Sequence, residues 1–332
     1  MIWVELVLVI IAFIQTGMGL LGNSVLFIVY LRTFLSQPHR KKLIDLILTH
    51  LTVANTVTLL TQGVPTLIFA IGIENKLEDV GCHIISYFRR VTRGLSICTT
   101  CLLSMFQAIT ISPSTSHWAR LKPKASGYIV PSLGFFWILH LLMYMNILTT
   151  RVVTKNANVT VNHFNIKYCS DIFSKKFLTN VAFVGMITLR DVFFVSLMSW
   201  ASGYMVIVLY RHHKQVQHIR STSTVSTASP ETRATHTILL LVTCFVTFYF
   251  INCIISLMST LVENKNFSMT DAMTILGACY PALCPWVLIK SDPRVLWPHG
   301  VLRKVVGTSP IMDPGGEQQT CSLPYSLSKD PL

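Results

Sequence analysis

Seven long stretches of this chain carry almost no charge, and the charged residues fall almost entirely between them. The stretches run over about 6–31, 46–73, 94–112, 126–149, 192–210, 237–262 and 272–289. An α-helix needs roughly 20 apolar residues to cross a hydrocarbon core of about 30 Å. No water reaches that core, so each backbone N–H and C=O must pair within its own segment, and each stretch is predicted to be an α-helix. A membrane barrel would instead show alternating segments of about ten residues. The expected fold class is an all-α membrane protein, a seven-transmembrane helix bundle over residues 1–290. Residues 291–332 are rich in Pro, Gly, Ser and Gln and read as a mostly disordered tail.

The charges between the stretches set the orientation. Loops after the first, third and fifth carry Arg32, Arg40, Lys41, Lys42, Arg120, Lys122, Lys124, Arg211, Lys214, Arg220 and Arg233. Loops after the second and sixth carry only Lys76 and Lys265. Short basic loops stay in the cytosol, so the N-terminus is expected outside and the C-terminus in the cytosol. No Lys or Arg precedes the first stretch, which favours a span over a cleaved signal peptide. The long loop at about 150–185 is basic too, but length removes it from the charge rule. It holds the glycosylation sequon at Asn158, and the loop after the sixth stretch holds another at Asn266. Both loops lie on the outer side. Of nine cysteines, only Cys82 and Cys169 fall in outer loops. A disulfide between them would fold the long loop over the bundle mouth; two independent thiols are the alternative.

Composition adds exclusions. Hydrophobic residues make up 52% and charged residues 12%, against about 25% charged in soluble domains. The net charge of +13 does not point to nucleic acid, because the basic residues cluster beside the spans, where they meet anionic membrane lipid. No zinc-protease, nucleophile-elbow or phosphate-loop motif occurs, so neither an enzyme nor a cofactor is expected. His212, His213 and His218 read as a basic helix end rather than a metal site. Intramembrane carboxylates are scarce, which argues against a proton-coupled transporter.

Polar residues near the outer ends of the spans hold the candidate chemistry. Arg89, Arg90 and Arg93 are placed at the start of the third span, and Arg190 and Asp191 at the start of the fifth. Arg89, Arg90 and Arg190 read as interfacial anchors. An Arg93–Asp191 pair across an outer cavity is a further expectation. Asn23 and Asn55 lie in apolar surroundings and are expected to bond neighbouring helices. Pro281 and Pro285 interrupt the seventh span near its inner end.

Local sequences carry a resemblance. Leu48–Asn55, Phe106–Pro113, Trp200–Met205 running into Tyr210–His218, Ser229–Leu239 and Tyr280–Ile289 together resemble the vomeronasal type-1 receptor family, over nearly the whole chain from Gly17 to Arg294. The resemblance implies a G-protein-coupled pheromone receptor in the plasma membrane. It implies as partners a small volatile or steroid-like ligand and a heterotrimeric G protein of inhibitory type. No Asp-Arg-Tyr triplet closes the third span, Asn55 stands where mainstream receptors have aspartate, and Tyr280-Pro281-x-x-Cys284 replaces Asn-Pro-x-x-Tyr. A sodium site and an arginine lock are therefore not carried over.

On this reading the ligand cavity is lined by Arg93, Ile97, Asp191, Phe194, Phe250, Ile254, Leu257 and Leu276. The G protein would dock at Arg211, His212, His213, Lys214, Arg233 and His236. A transporter or channel using the same cavity is the alternative. The inner half of the third span offers such a pathway only Ser104 and Gln107 between Leu102 and Ile109.

Overall fold

The computed structural model describes residues 2–36, 42–70, 79–113, 115–145, 177–219, 237, 239–251 and 267–291. All of them lie in one compact unit spanning Met1–Leu296. They form seven helices: α1 (Ile2–Ser36), α2 (Lys42–Ala70), α3 (Asp79–Ile111), α4 (Lys122–Met143), α5 (Phe177–Ile219), α6 (Leu239–Ile251) and α7 (Phe267–Ser291). A 3-10 turn at His117–Leu121 leads into α4. No strand occurs among the described residues. The all-α expectation holds. Five helices, α1 to α5, are long and apolar enough to cross a bilayer, and the apolar parts described in α6 and α7 are shorter.

The helices of the third and fifth stretches begin well ahead of their apolar windows, at Asp79 and Phe177. Arg89, Arg90, Arg93, Arg190 and Asp191 therefore lie inside helices rather than at their starts. The apolar window marks where the chain meets hydrocarbon. Helical hydrogen bonding continues past it, because long charged side chains can reach partners or headgroups without breaking the helix.

The third helix is the central strut. Two-thirds of its membrane window (67%) is buried, against 22% for α1, 22% for α4 and 17% for α5. It packs against α2, α4 and α5, while α1 packs against α2 and α7. Its many hydroxyls fit an apolar interior because they serve their own helix. Thr92, Thr99, Thr100 and Ser104 each donate to the carbonyl four residues back, at 2.6–2.8 Å.

The contact of α1 with α7 is built from a proline defect. Pro285 has no N–H, so the carbonyl of Pro281, four residues earlier, loses its helical donor. Asn23 Nδ2 of α1 supplies the missing hydrogen bond at 3.1 Å. Glycines let the helices close. A Cβ at Gly22 would stand 3.0 Å from the Pro285 ring, and one at Gly19 would stand 3.0 Å from the Ala282 backbone. Asn23 thus bonds a neighbouring helix as expected.

A second tie joins α2, α3 and α4. The Trp137 indole N–H donates to His50 Nε2 at 2.9 Å. Since an indole can only donate, Nε2 accepts and Nδ1 carries the hydrogen toward Thr99 Oγ1, at 2.9 Å. Each interhelical bond of this kind stabilises a membrane bundle by about 0.6–2 kcal/mol.

Candidate functional site

Hydroxyls recur every four residues along α3, at Thr92, Ser96, Thr100 and Ser104. That spacing keeps them on one helix face, and the face turns toward α2 and α7. The Thr92 and Thr58 hydroxyls lie 2.9 Å apart. Ser96 donates to Asn55 Oδ1 at 2.9 Å, so Asn55 also bonds a neighbour as expected. Thr100 Oγ1 lies 2.8 Å from the Tyr280 hydroxyl of α7. The single hydrogen of Thr100 serves the Ser96 carbonyl, which leaves Tyr280 as the donor. The Tyr280 ring in turn meets Phe245 of α6 edge-on, with centroids 4.7 Å apart. One residue therefore joins α3, α6 and α7.

A cavity lies above this junction, between α2, α3, α6 and α7. Its lining combines the Arg93 guanidinium, the Thr58 and Ser96 hydroxyls, the aromatic rings of Phe245, Phe248, Tyr249 and Tyr280, and Leu276. No acidic residue is among the described lining residues. The space among the described residues is about 30 Å³, room for about two water-sized groups, and it is partly open rather than sealed.

The structure separates the residues expected to line one cavity. Arg93 and Leu276 line it. Ile97 is buried in the core, 1% exposed. Phe194 packs edge-on against Phe136 of α4 at 5.8 Å. Phe250 is 64% exposed and faces away from the bundle. The cavity takes Phe245, Phe248 and Tyr249 instead, positions i, i+3 and i+4 of one helical face, and Phe250 falls about 100° further round.

The expected Arg93–Asp191 pair is not formed by Asp191. That carboxylate is held by the neighbouring Arg190, whose Nε donates to Oδ1 at 2.8 Å and whose Nη2 contacts the same oxygen. Arg190 Nη1 also donates to the Tyr144 hydroxyl at 3.0 Å. This pair lies toward α4, on the other side of α3 from Arg93. Nor is Arg190 a headgroup anchor: its side chain is 8% exposed. Beside it, His140 Nδ1 donates to the Phe136 carbonyl at 2.7 Å. The imidazole lies so close to Gly94 that a Cβ there would stand 2.1 Å from its Cδ2.

On the cytosolic side, Arg211 and Lys214 are exposed on the last turns of α5, and His212 and His213 belong to the same helix. Cys82 lies in the first turn of α3. Ile254, Leu257, Cys169, Asn158, Asn266, Arg233 and His236 lie outside the described residues. Among the described residues no group of His, Cys, Asp and Glu could hold a metal ion.

Sequence reasoning missed Thr58, Ser96, Phe245, Phe248, Tyr249 and Tyr280 as lining residues. The four-residue hydroxyl period of α3 was the readable signal for Ser96.

A sequence model of the vomeronasal organ pheromone receptor family matches residues 7–298. The chain belongs to that family. Vomeronasal type-1 receptor 4 of Homo sapiens is 38% identical over 284 residues, covering 85% of this chain and 93% of the relative. Vomeronasal type-1 receptor 1 of Homo sapiens is 36% identical over 282 residues, covering 85% and 79%. Olfactory receptor class A-like protein 1 of Danio rerio is 29% identical over 283 residues, covering 85% and 88%. Squid rhodopsin shares the fold, with a TM-score of 0.64 at 14% identity, over 94% of this chain and 88% of its own. This vomeronasal receptor is thus a multi-pass plasma-membrane G-protein-coupled chemosensory receptor and not an enzyme. It works with a ligand and a heterotrimeric G protein. Membership of the family displaces the transporter or channel alternative.

Proposed function

We propose that this receptor binds a small volatile or steroid-like pheromone between α2, α3, α6 and α7 and activates an inhibitory-type G protein at the cytosolic ends of α5 and α6. The observation that carries the reading is Tyr280, which lines the cavity while bonding Thr100 and packing on Phe245. A ligand that displaces this ring acts on three helices at once. It favours the active arrangement only as far as it binds that arrangement better. Arg93 suits an anionic or sulfated group at one end of the ligand, and the aromatic lining suits an apolar body. Ile254 and Leu257, which follow α6 in the sequence, also contact the ligand in this proposal. Arg211, His212, His213, Lys214, Arg233 and His236 form the G-protein contact. Cys82 pairs with Cys169, and Asn158 and Asn266 carry glycans on the outer loops.

The test is nucleotide exchange on an inhibitory G protein, with the receptor expressed in a voltage-clamped cell and small volatiles and anionic steroids screened. Exchange without a ligand-gated current is expected. Arg93→Gln should weaken an anionic agonist about tenfold, the loss of one charge-assisted contact. A ligand-driven current that persists without G proteins would overturn the reading. Agonism untouched by both Arg93→Gln and Phe248→Ala would place the ligand elsewhere.

A further inference from the structure

A second groove lies on the opposite side of α3, in the inner half of the membrane. Met105 and Ile109 of α3, Trp118 of the 3-10 turn, and Trp200 and Tyr204 of α5 line it. The two indoles meet edge-on with centroids 5.4 Å apart, and Trp200 is 51% exposed. The polar end of Tyr204 is satisfied from within, since its hydroxyl lies 2.8 Å from Ser112 Oγ. What the groove offers outward is apolar ring surface.

Its depth tells what fills it. Met105 precedes Ile111, the last residue of the apolar window of α3, by six residues, about 9 Å along a helix axis, and Tyr204 precedes Arg211, the last of the window of α5, by seven, about 10 Å. Both depths fall within one hydrocarbon leaflet of about 15 Å, on its cytosolic side. At the cytosolic end of the groove, Trp118 is followed by Arg120, Lys122 and Lys124, all three exposed. No Asp or Glu occurs from residue 80 to residue 170, so no acid in this part of the chain competes for these cations. Positive charge at headgroup level thus sits directly on an aromatic trough at acyl-chain level.

We infer that this groove is a binding site for an anionic phospholipid of the cytosolic leaflet, its acyl chain against Trp118 and Trp200 and its phosphate on Arg120, Lys122 and Lys124. Positive-inside topology needs the cations but not the aromatic trough beside them. The site is separate from the pheromone cavity, and its test needs neither ligand nor G protein.

The full chain is reconstituted into phosphatidylcholine vesicles containing a minor fraction of phosphatidylserine. Bromine is carried on the acyl chains of one lipid or the other, and tryptophan emission is read. The part due to Trp118 is found by difference from Trp118→Phe, with Trp200→Phe as a second reporter should the first variant not fold. Brominated phosphatidylserine is expected to quench that part far beyond its share of the lipid. Each basic side chain near an anionic headgroup changes affinity about fivefold. Arg120→Gln, Lys122→Gln and Lys124→Gln together should therefore lower the preference on the order of 100-fold. Rising salt should weaken it as well. Quenching in simple proportion to lipid fraction, unchanged in the triple variant, would mean ordinary boundary lipid and would overturn the site. Preferential quenching by a brominated sterol would overturn it too, by giving the groove another occupant.

Discussion

Toward α2 and α7, the third helix presents hydroxyls at Ser96 and Thr100 and leaves a cavity. Toward α4 it presents a bare Gly94, with His140 pressed against it and the Arg190–Asp191 ion pair alongside. The two faces teach that charge inside a membrane bundle is not by itself a mark of function. On the α4 side the charges neutralise each other and bind Tyr144, so they clamp. On the α7 side the hydrogen bonds of Ser96 and Thr100 and the ring contact of Tyr280 are neutral, and in the proposed reading a ligand exchanges with them.

The clamp side should break hardest. Asp191→Ala leaves Arg190 buried without its carboxylate and is expected to destabilise the receptor by about 3–5 kcal/mol. Replacing both, Arg190→Met with Asp191→Leu, should recover most of this. Thermal unfolding in detergent reads it, and equal losses in the single and double variants would deny the clamp. Gly94→Ala comes next, at about 1–3 kcal/mol, because the new methyl must move the His140 ring. Adding His140→Ala should relieve most of that overpacking. Gly134→Ala on α4, where a Cβ meets nothing within 4 Å, is the matched control and should stay within about 0.5 kcal/mol.

On the other side of α3 the effects on stability shrink. Asn23→Ala orphans the Pro281 carbonyl and should cost about 1–2 kcal/mol. Tyr280→Phe removes only the hydroxyl that meets Thr100, about 0.6 kcal/mol. Its signature should be functional: basal nucleotide exchange shifts while the unfolding temperature barely moves. If Tyr280→Phe instead destabilised the receptor as much as Asp191→Ala, the contrast between the two faces would be lost.

Much of this was legible in the chain. The uncharged stretches gave seven helices, and Arg93 and Leu276 were placed at the cavity from the sequence. Phe250 was misplaced because the sequence of α6 offers Phe245, Phe248, Tyr249 and Phe250 in close succession. Only the rotation of that helix against α7 selects among them. Asp191 was misassigned because a carboxylate and an arginine can each reach several partners, and Arg190 lies nearer than Arg93. His140 gave no signal at all: a lone histidine in an apolar helix reads the same whether it lies against a glycine or faces lipid.

The sequence alone determined that this protein is a helical bundle in a membrane, which way it is oriented, and which family it resembles. Those properties follow from transfer free energies and local motifs, which add up along a chain one residue at a time. The tertiary structure alone decided which face of α3 holds a cavity and which holds a clamp. It also decided that the carbonyl freed by Pro285 is served by Asn23, 258 residues from the carbonyl's own residue. Such pairings depend on the rotation and closeness of helices far apart in the chain, and no local pattern encodes an angle between two axes.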